Sequence, residues 1–132
     1  MRMYRAMSLV LMLAFASTGL LFLVSPDAAI GFFNNLSSSL GMPAAPADGW
    51  DFFLILAVGY MYVVTFLAFM MFRHPDNRSY PLLLANAKLA SSILSLALFM
   101  LQAHYLVYLA NFAVDGVIGI VVLVTYMRMR TA

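Results

Sequence analysis

Four stretches of this chain, residues 6–24, 52–72, 80–101 and 105–127, are almost wholly apolar. Each is close to the ~20 residues that a helix needs to cross the hydrocarbon layer of a bilayer. Inside lipid no water is present to satisfy a backbone N–H or C=O, so runs of this length must fold as helices. Composition agrees: 65% of the 132 residues are hydrophobic and 9% are charged, against roughly 45–50% and 25% in soluble domains. A soluble chain this short has to cover a large surface with polar groups, and this one has too few. A soluble enzyme, a nucleic-acid binder and a disordered tail are therefore excluded. The net charge of +2 does not point to nucleic acid, because the basic residues sit beside the apolar runs. Cysteine is absent, which removes disulfides, thiolate metal sites and a cysteine nucleophile.

The expected fold is all-α: an integral membrane four-helix antiparallel bundle, one domain over residues 1–132. Arg2 and Arg5 before the first run give it the look of a secretory signal, but the run exceeds the ~7–15 apolar residues of such a signal, so a retained helix is expected. The basic residues set the orientation. Arg2 and Arg5 precede span one, Arg73 and Arg78 lie between spans two and three, and Arg128 and Arg130 follow span four. If all four runs cross, these six of the seven basic residues share one side. Both termini are expected in the cytoplasm of a bacterial inner (plasma) membrane. Tyr4, Trp50, Phe52, Phe72, Tyr80, Tyr105 and Tyr126 near the span ends fit interfacial aromatic belts.

Between spans one and two, Ser25-Pro26-Asp27 reads as a helix start, with a capping hydroxyl, proline in the first turn and an acid near the positive dipole end. Ala29, Phe32, Phe33, Leu36 and Leu40 recur at helical spacing, and Gly41 fits a C-terminal stop. The pattern predicts a short amphipathic helix over residues 26–40, lying on the outer face either as a packing cap or as a lid over a cavity. Asp48 and Asp51 are read as helix-start charges of span two.

Chemistry-bearing residues concentrate in spans three and four. Lys88 and Asp115 lie near the middle of each, and either alone in hydrocarbon costs ~2.5–3.5 kcal/mol on insertion scales. Counted from a turn near residue 103, their depths differ by roughly 4–5 Å, which a lysine stem can bridge. Lys88, Ser91, Ser92 and Ser95 form one helical stripe; His104, Tyr108, Asn111, Asp115 and Gly119 form a second. Two polar stripes on neighbouring helices should meet, because lipid satisfies neither. Gly116 and Gly119 leave room for close approach, and Tyr62 and Thr65 of span two could join.

The stripes admit three readings. One is structural, an ion pair and hydroxyl bonds that fix helix register. The second is a proton or transport path, which intramembrane ionisable groups often mark, in a small oligomeric transporter or channel. The third is a quinone- or haem-associated anchor using His104. A histidine at a span end followed 11 residues later by an aspartate resembles the small membrane-anchor subunits of succinate dehydrogenases, where the histidine lies near haem and the aspartate near quinone. His74, in Arg73-His74-Pro75-Asp76, reads as a solvated turn residue. No spacing suggests a metal site or a hydrolase triad.

The layout as a whole resembles the DoxX-like group of small bacterial four-helix membrane proteins. The shared features are a short basic N-terminus, a first span, and an outward amphipathic stretch ending in Gly41-Met42-Pro43 ahead of span two. That resemblance implies a four-helix membrane fold and an accessory role beside redox enzymes. It implies no functional residue, because the acidic residue common within the second span of that group has only Asp51, at the span's start, as a counterpart. The expected function is a non-catalytic accessory or structural subunit of a larger membrane complex, respiratory or otherwise electron-carrying. Its expected partners are the lipid bilayer and partner membrane subunits or further copies of itself. No cofactor is expected, although a lipid or quinone is compatible with the chain.

Overall fold

The computed structural model describes residues 1–46 and 51–131; Asp48, Gly49 and Trp50, and the side chains of Asp51 and Phe52, lie outside the described residues. The described residues form five helices joined by turns, without a strand: α1 (Arg2–Val24), α2 (Pro26–Ser39), α3 (Asp51–Arg73), α4 (Ser79–Leu101) and α5 (Leu106–Thr131). Four of them, α1, α3, α4 and α5, are long and apolar enough to cross a membrane. α1 begins four residues earlier than the apolar run implied, because its first turns are packed: Tyr4 and Ser8 are buried. α5 continues past the apolar run through Arg128 and Arg130, whose charges suit the negative end of the helix dipole.

A single residue separates α1 from α2. The Ser25 amide donates to the Leu21 carbonyl at 2.9 Å, and the Ser25 carbonyl accepts from the Ala29 amide at 3.3 Å. The expected side-chain cap at Ser25 is not made. Its backbone serves both helices, and Pro26 at the next position has no N–H to be capped.

α2 ends as the glycine implied. Gly41 has φ +67°, and the amides of Gly41 and Met42 donate to the carbonyls of Ser38 and Ser37 at 3.3 and 2.9 Å. This is a Schellman closure, which needs a left-handed residue that glycine adopts at no steric cost. Beyond it, Asn34 holds the returning chain at both polar atoms: its Nδ2 donates to the Ala45 carbonyl at 3.0 Å and its Oδ1 accepts from the Ala45 amide at 2.8 Å.

The faces of α2 differ from the expected pattern. Ala29 and Ser37 are buried, whereas Phe32, Leu36 and Leu40 point outward. The apolar positions thus split into two groups. Ile30 and Phe33 line a cleft beneath the helix, and the outward trio follows the i, i+4, i+8 row on the other side.

The long helices form a core drawn from all four: Tyr4 and Phe15 of α1, Val64, Ala68 and Met71 of α3, Leu84 and Ala85 of α4, and Val122 and Tyr126 of α5. α1 packs chiefly on α3, and α4 on α5, with α3 and α4 joining the two pairs. Most of the remaining helix surface is apolar and exposed, including Leu20, Ile55, Ile93 and Val117. Gly41→Ala is expected to loosen the end of α2 by about 1 kcal/mol. Amide hydrogen exchange at Gly41 and Met42 should then accelerate by about fivefold, with the α4 amides unchanged.

Candidate functional site

The polar residues of α4 and α5 meet along one seam. Lys88 Nζ lies 2.9 Å from Asp115 Oδ1, with the side chains 3% and 5% exposed. One turn away, Asn111 Nδ2 donates to Ser91 Oγ at 3.0 Å and to Ser95 Oγ at 2.6 Å. Between these, Ser92 Oγ donates to the Phe112 carbonyl at 2.7 Å. The partners run in opposite order along the two helices, so α4 and α5 are antiparallel neighbours in register over about two turns of α4.

Glycine sets how closely they approach. A Cβ at Gly119 would stand 2.8 Å from Leu89 Cγ and 3.4 Å from the Ala85 carbonyl oxygen, and one at Gly116 would stand 2.9 Å from Ser92 Oγ. Without side chains there, the two backbones come near enough for serine and asparagine, which have short reach, to bond across the interface.

The lysine is enclosed on its other sides by aromatic rings. Its Nζ lies 4.6 Å from the Phe15 ring centroid and 5.0 Å from that of Tyr60. An ammonium over a ring face is attracted by the negative face of the ring quadrupole. Lys88 therefore touches all three other long helices: α5 through its counter-ion, α1 through Phe15 and α3 through Tyr60. No spacing in the sequence singles out these two rings among 11 phenylalanines and 7 tyrosines, because the contact arises only when α1 and α3 close over α4.

Tyr108, read from the sequence as part of the stripe, and Tyr62 and Thr65, read as able to join it, stay outside the seam. Tyr108 packs its ring beside Tyr105, with centroids 5.6 Å apart, and makes none of the seam's hydrogen bonds. In the register above, the nearest polar side chain on α4 is Ser95, which already accepts from Asn111. Tyr62 is 71% exposed, and Thr65 turns its hydroxyl back to the Met61 carbonyl at 2.6 Å. Tyr60, two residues before Tyr62 and so about 200° away around the helix, faces the lysine instead.

His104 is exposed in the turn between α4 and α5. Its ring meets Phe99 edge-on at 4.9 Å between centroids. Asp115 lies nine residues, about 14 Å, into α5 from its first residue, so His104 does not contact the ion pair. His74 is exposed in the turn between α3 and α4, 6.5 Å from the Tyr80 ring. Among the described residues no group of three or more His, Asp or Glu side chains gathers. A separate cleft of about 280 Å³ lies beneath α2, walled by residues such as Phe22, Ile30, Phe33, Leu54, Ala57 and Val107. A second, between α1 and α3, includes Phe15, Gly19, Met61 and Tyr62 in its walls; neither has Lys88 or Asp115 in its lining.

The chain matches no protein-family model, no curated protein and no solved structure. Fold and seam together define its class: an all-helical chain with four apolar helices of membrane-crossing length and a buried, internally neutralised ion pair.

Removing one partner of a buried pair strands the other charge, so Lys88→Leu is expected to destabilise the fold by ~3–5 kcal/mol. The double change with Asp115→Leu should recover much of that loss. Gly119→Ala is expected to cost ~1–3 kcal/mol by forcing α4 and α5 apart. Reversible unfolding of the purified protein in mixed micelles titrated with dodecyl sulfate measures all three, and a double variant no more stable than Lys88→Leu would refute the pairing account.

Proposed function

We propose that this protein is a non-catalytic accessory or structural subunit of a larger membrane complex. It crosses a bacterial inner membrane four times as an antiparallel bundle with both termini in the cytoplasm. The observation that carries this reading is the use of the two buried charges among the described residues as a latch. Lys88 and Asp115 are bonded to each other, boxed by Phe15 and Tyr60, and 2% and 4% exposed. A proton or ion path needs its charged groups to meet water from both sides, whereas this pair is closed inside the helices. The resemblance in layout to DoxX-like proteins supports the accessory role, and the grouping of arginines at one end of the long helices supports the orientation. A respiratory or electron-carrying complex is the partner class that this resemblance favours.

A second reading is supported by the cleft under α2. Its walls are almost entirely apolar, and its volume of about 280 Å³ suits a hydrocarbon tail better than a ring that needs hydrogen bonds at its rim. His104 is not among its lining residues. A lipid acyl chain or the isoprenoid tail of a quinone is the ligand class that fits, with α2 as the lid.

Gentle extraction from the native membrane, followed by mass measurement of the particle, tests the main reading. The expected result is a particle well above 14.6 kDa that contains other membrane subunits; a particle without any other subunit refutes it. For the charge latch, Asp115→Asn in proteoliposomes should leave proton flux unchanged from the wild type, and a loss of flux would favour a transport role.

A further inference from the structure

The exposed face of α4 carries one residue that lipid cannot satisfy. Asn86 is exposed, and its side chain makes no hydrogen bond among the described residues. It lies seven residues after Ser79, the first residue of α4, so about 10 Å along the helix axis. Its side chain is too short to reach the interface from there, unlike a lysine or arginine. The hydroxyls exposed along α1 have answers of their own: Ser17 and Thr18 each donate to a carbonyl one turn back, at 2.8 Å. An asparagine amide has two donors and an acceptor, so a single bond back to the helix would leave the others unmet.

The surroundings of Asn86 form a regular seam. Lys88 faces the core, and Asn86 stands about 200° away from it around α4, opposite the bonds to α5. Leu83, Asn86, Ala90, Ile93, Ala97 and Met100 follow one another at alternating steps of three and four residues. This is the spacing that lets two helices run side by side. Leu83, Ile93 and Met100 are 53%, 67% and 65% exposed, and Asn86 and Ala90 are exposed as well. The described part of the chain leaves this row uncovered except at the half-buried Ala97, and alanine at two of its positions permits close approach.

From this we infer that α4 is a self-association face, on which a second copy of this chain docks through a reciprocal Asn86–Asn86 amide pair. The occupant follows from complementarity and depth. In a twofold dimer with its axis along the membrane normal, each Asn86 meets its own equivalent at the same depth. The Oδ1 of one then accepts from the Nδ2 of the other, and the reverse bond forms as well. One polar residue in an apolar seam also fixes the register of the two helices. The inference rests on the reading of α4 as a membrane span.

The natural lack of cysteine makes the test clean. Ala90→Cys and Ile93→Cys are placed on the proposed face, and Val114→Cys on the exposed face of α5, each in protein reconstituted into phosphatidylcholine–phosphatidylglycerol vesicles. Oxidation with copper phenanthroline should give disulfide-linked dimers at positions 90 and 93 and not at 114. Energy transfer between labelled copies should show association that weakens about fivefold or more in Asn86→Leu and is retained in Asn86→Gln. Cross-linking that is absent at 90 and 93, or equal at 114, overturns the inference, as does unchanged association in Asn86→Leu. A heterologous protein cross-linked at position 90 in native membranes, in place of a second copy, also overturns it. A membrane-impermeant maleimide separates failure of the pairing from failure of the span reading. If the thiol of the Ala90→Cys variant resists the reagent in intact vesicles but does not cross-link, the pairing alone fails. If that thiol reacts readily, the span reading of α4 fails with it.

Discussion

A lysine ammonium and an aspartate carboxylate 2.9 Å apart, with apolar helices on every side, constrain everything around them. Neither charge tolerates being alone in such surroundings, so the chain must place α4 against α5 at one register and keep it there. The rest of the seam follows from that demand. Asn111 bridges Ser91 and Ser95, and Ser92 reaches the Phe112 carbonyl, each bond repeating the same offset between the helices. The glycines at 116 and 119 are what make such short side chains sufficient. Non-directional apolar packing does not by itself choose between one turn and the next; the ion pair and its hydrogen bonds do.

The pair also ties together two helix pairs that share only part of their surface. α1 and α3 pack on each other, α4 and α5 pack on each other, and the contact between the pairs is slighter. Lys88 belongs to the second pair but places its ammonium against Phe15 and Tyr60 of the first. The same cation is thus neutralised by one half of the molecule and sheltered by the other. A structural role for the seam is consistent with this arrangement, because the groups that would move in a transport cycle are those that hold the halves together.

Much of the fold was legible in the sequence, and the reasons are physical. Runs of apolar residues set the four long helices to within a few positions, since an apolar stretch of that length has few alternatives to a helix. Gly41 marked the end of α2 because few other residues adopt its backbone angle. The polar stripes revealed which faces of α4 and α5 meet. What stayed hidden depended on neighbours distant in the chain. Tyr60 and Tyr62 are indistinguishable by type, and only the rotation of α3 against α4 decides which of them faces Lys88. The split of α2 into two apolar faces likewise depends on the cleft beneath it, which no local pattern encodes. Ser25 looked like a side-chain cap, but its backbone, shared between two helices, had already taken up the free groups.

On the proposed topology, Lys88 leaves the ribosome ahead of its counter-ion, Asp115, which follows 27 residues later. Until Asp115 follows, α4 carries an unneutralised cation. By then α1 and α3 have been made, and with them the Phe15 and Tyr60 rings that flank the ammonium in the finished protein. The aromatic walls thus offer the growing chain a temporary harbour for a charge that only its last helix can cancel.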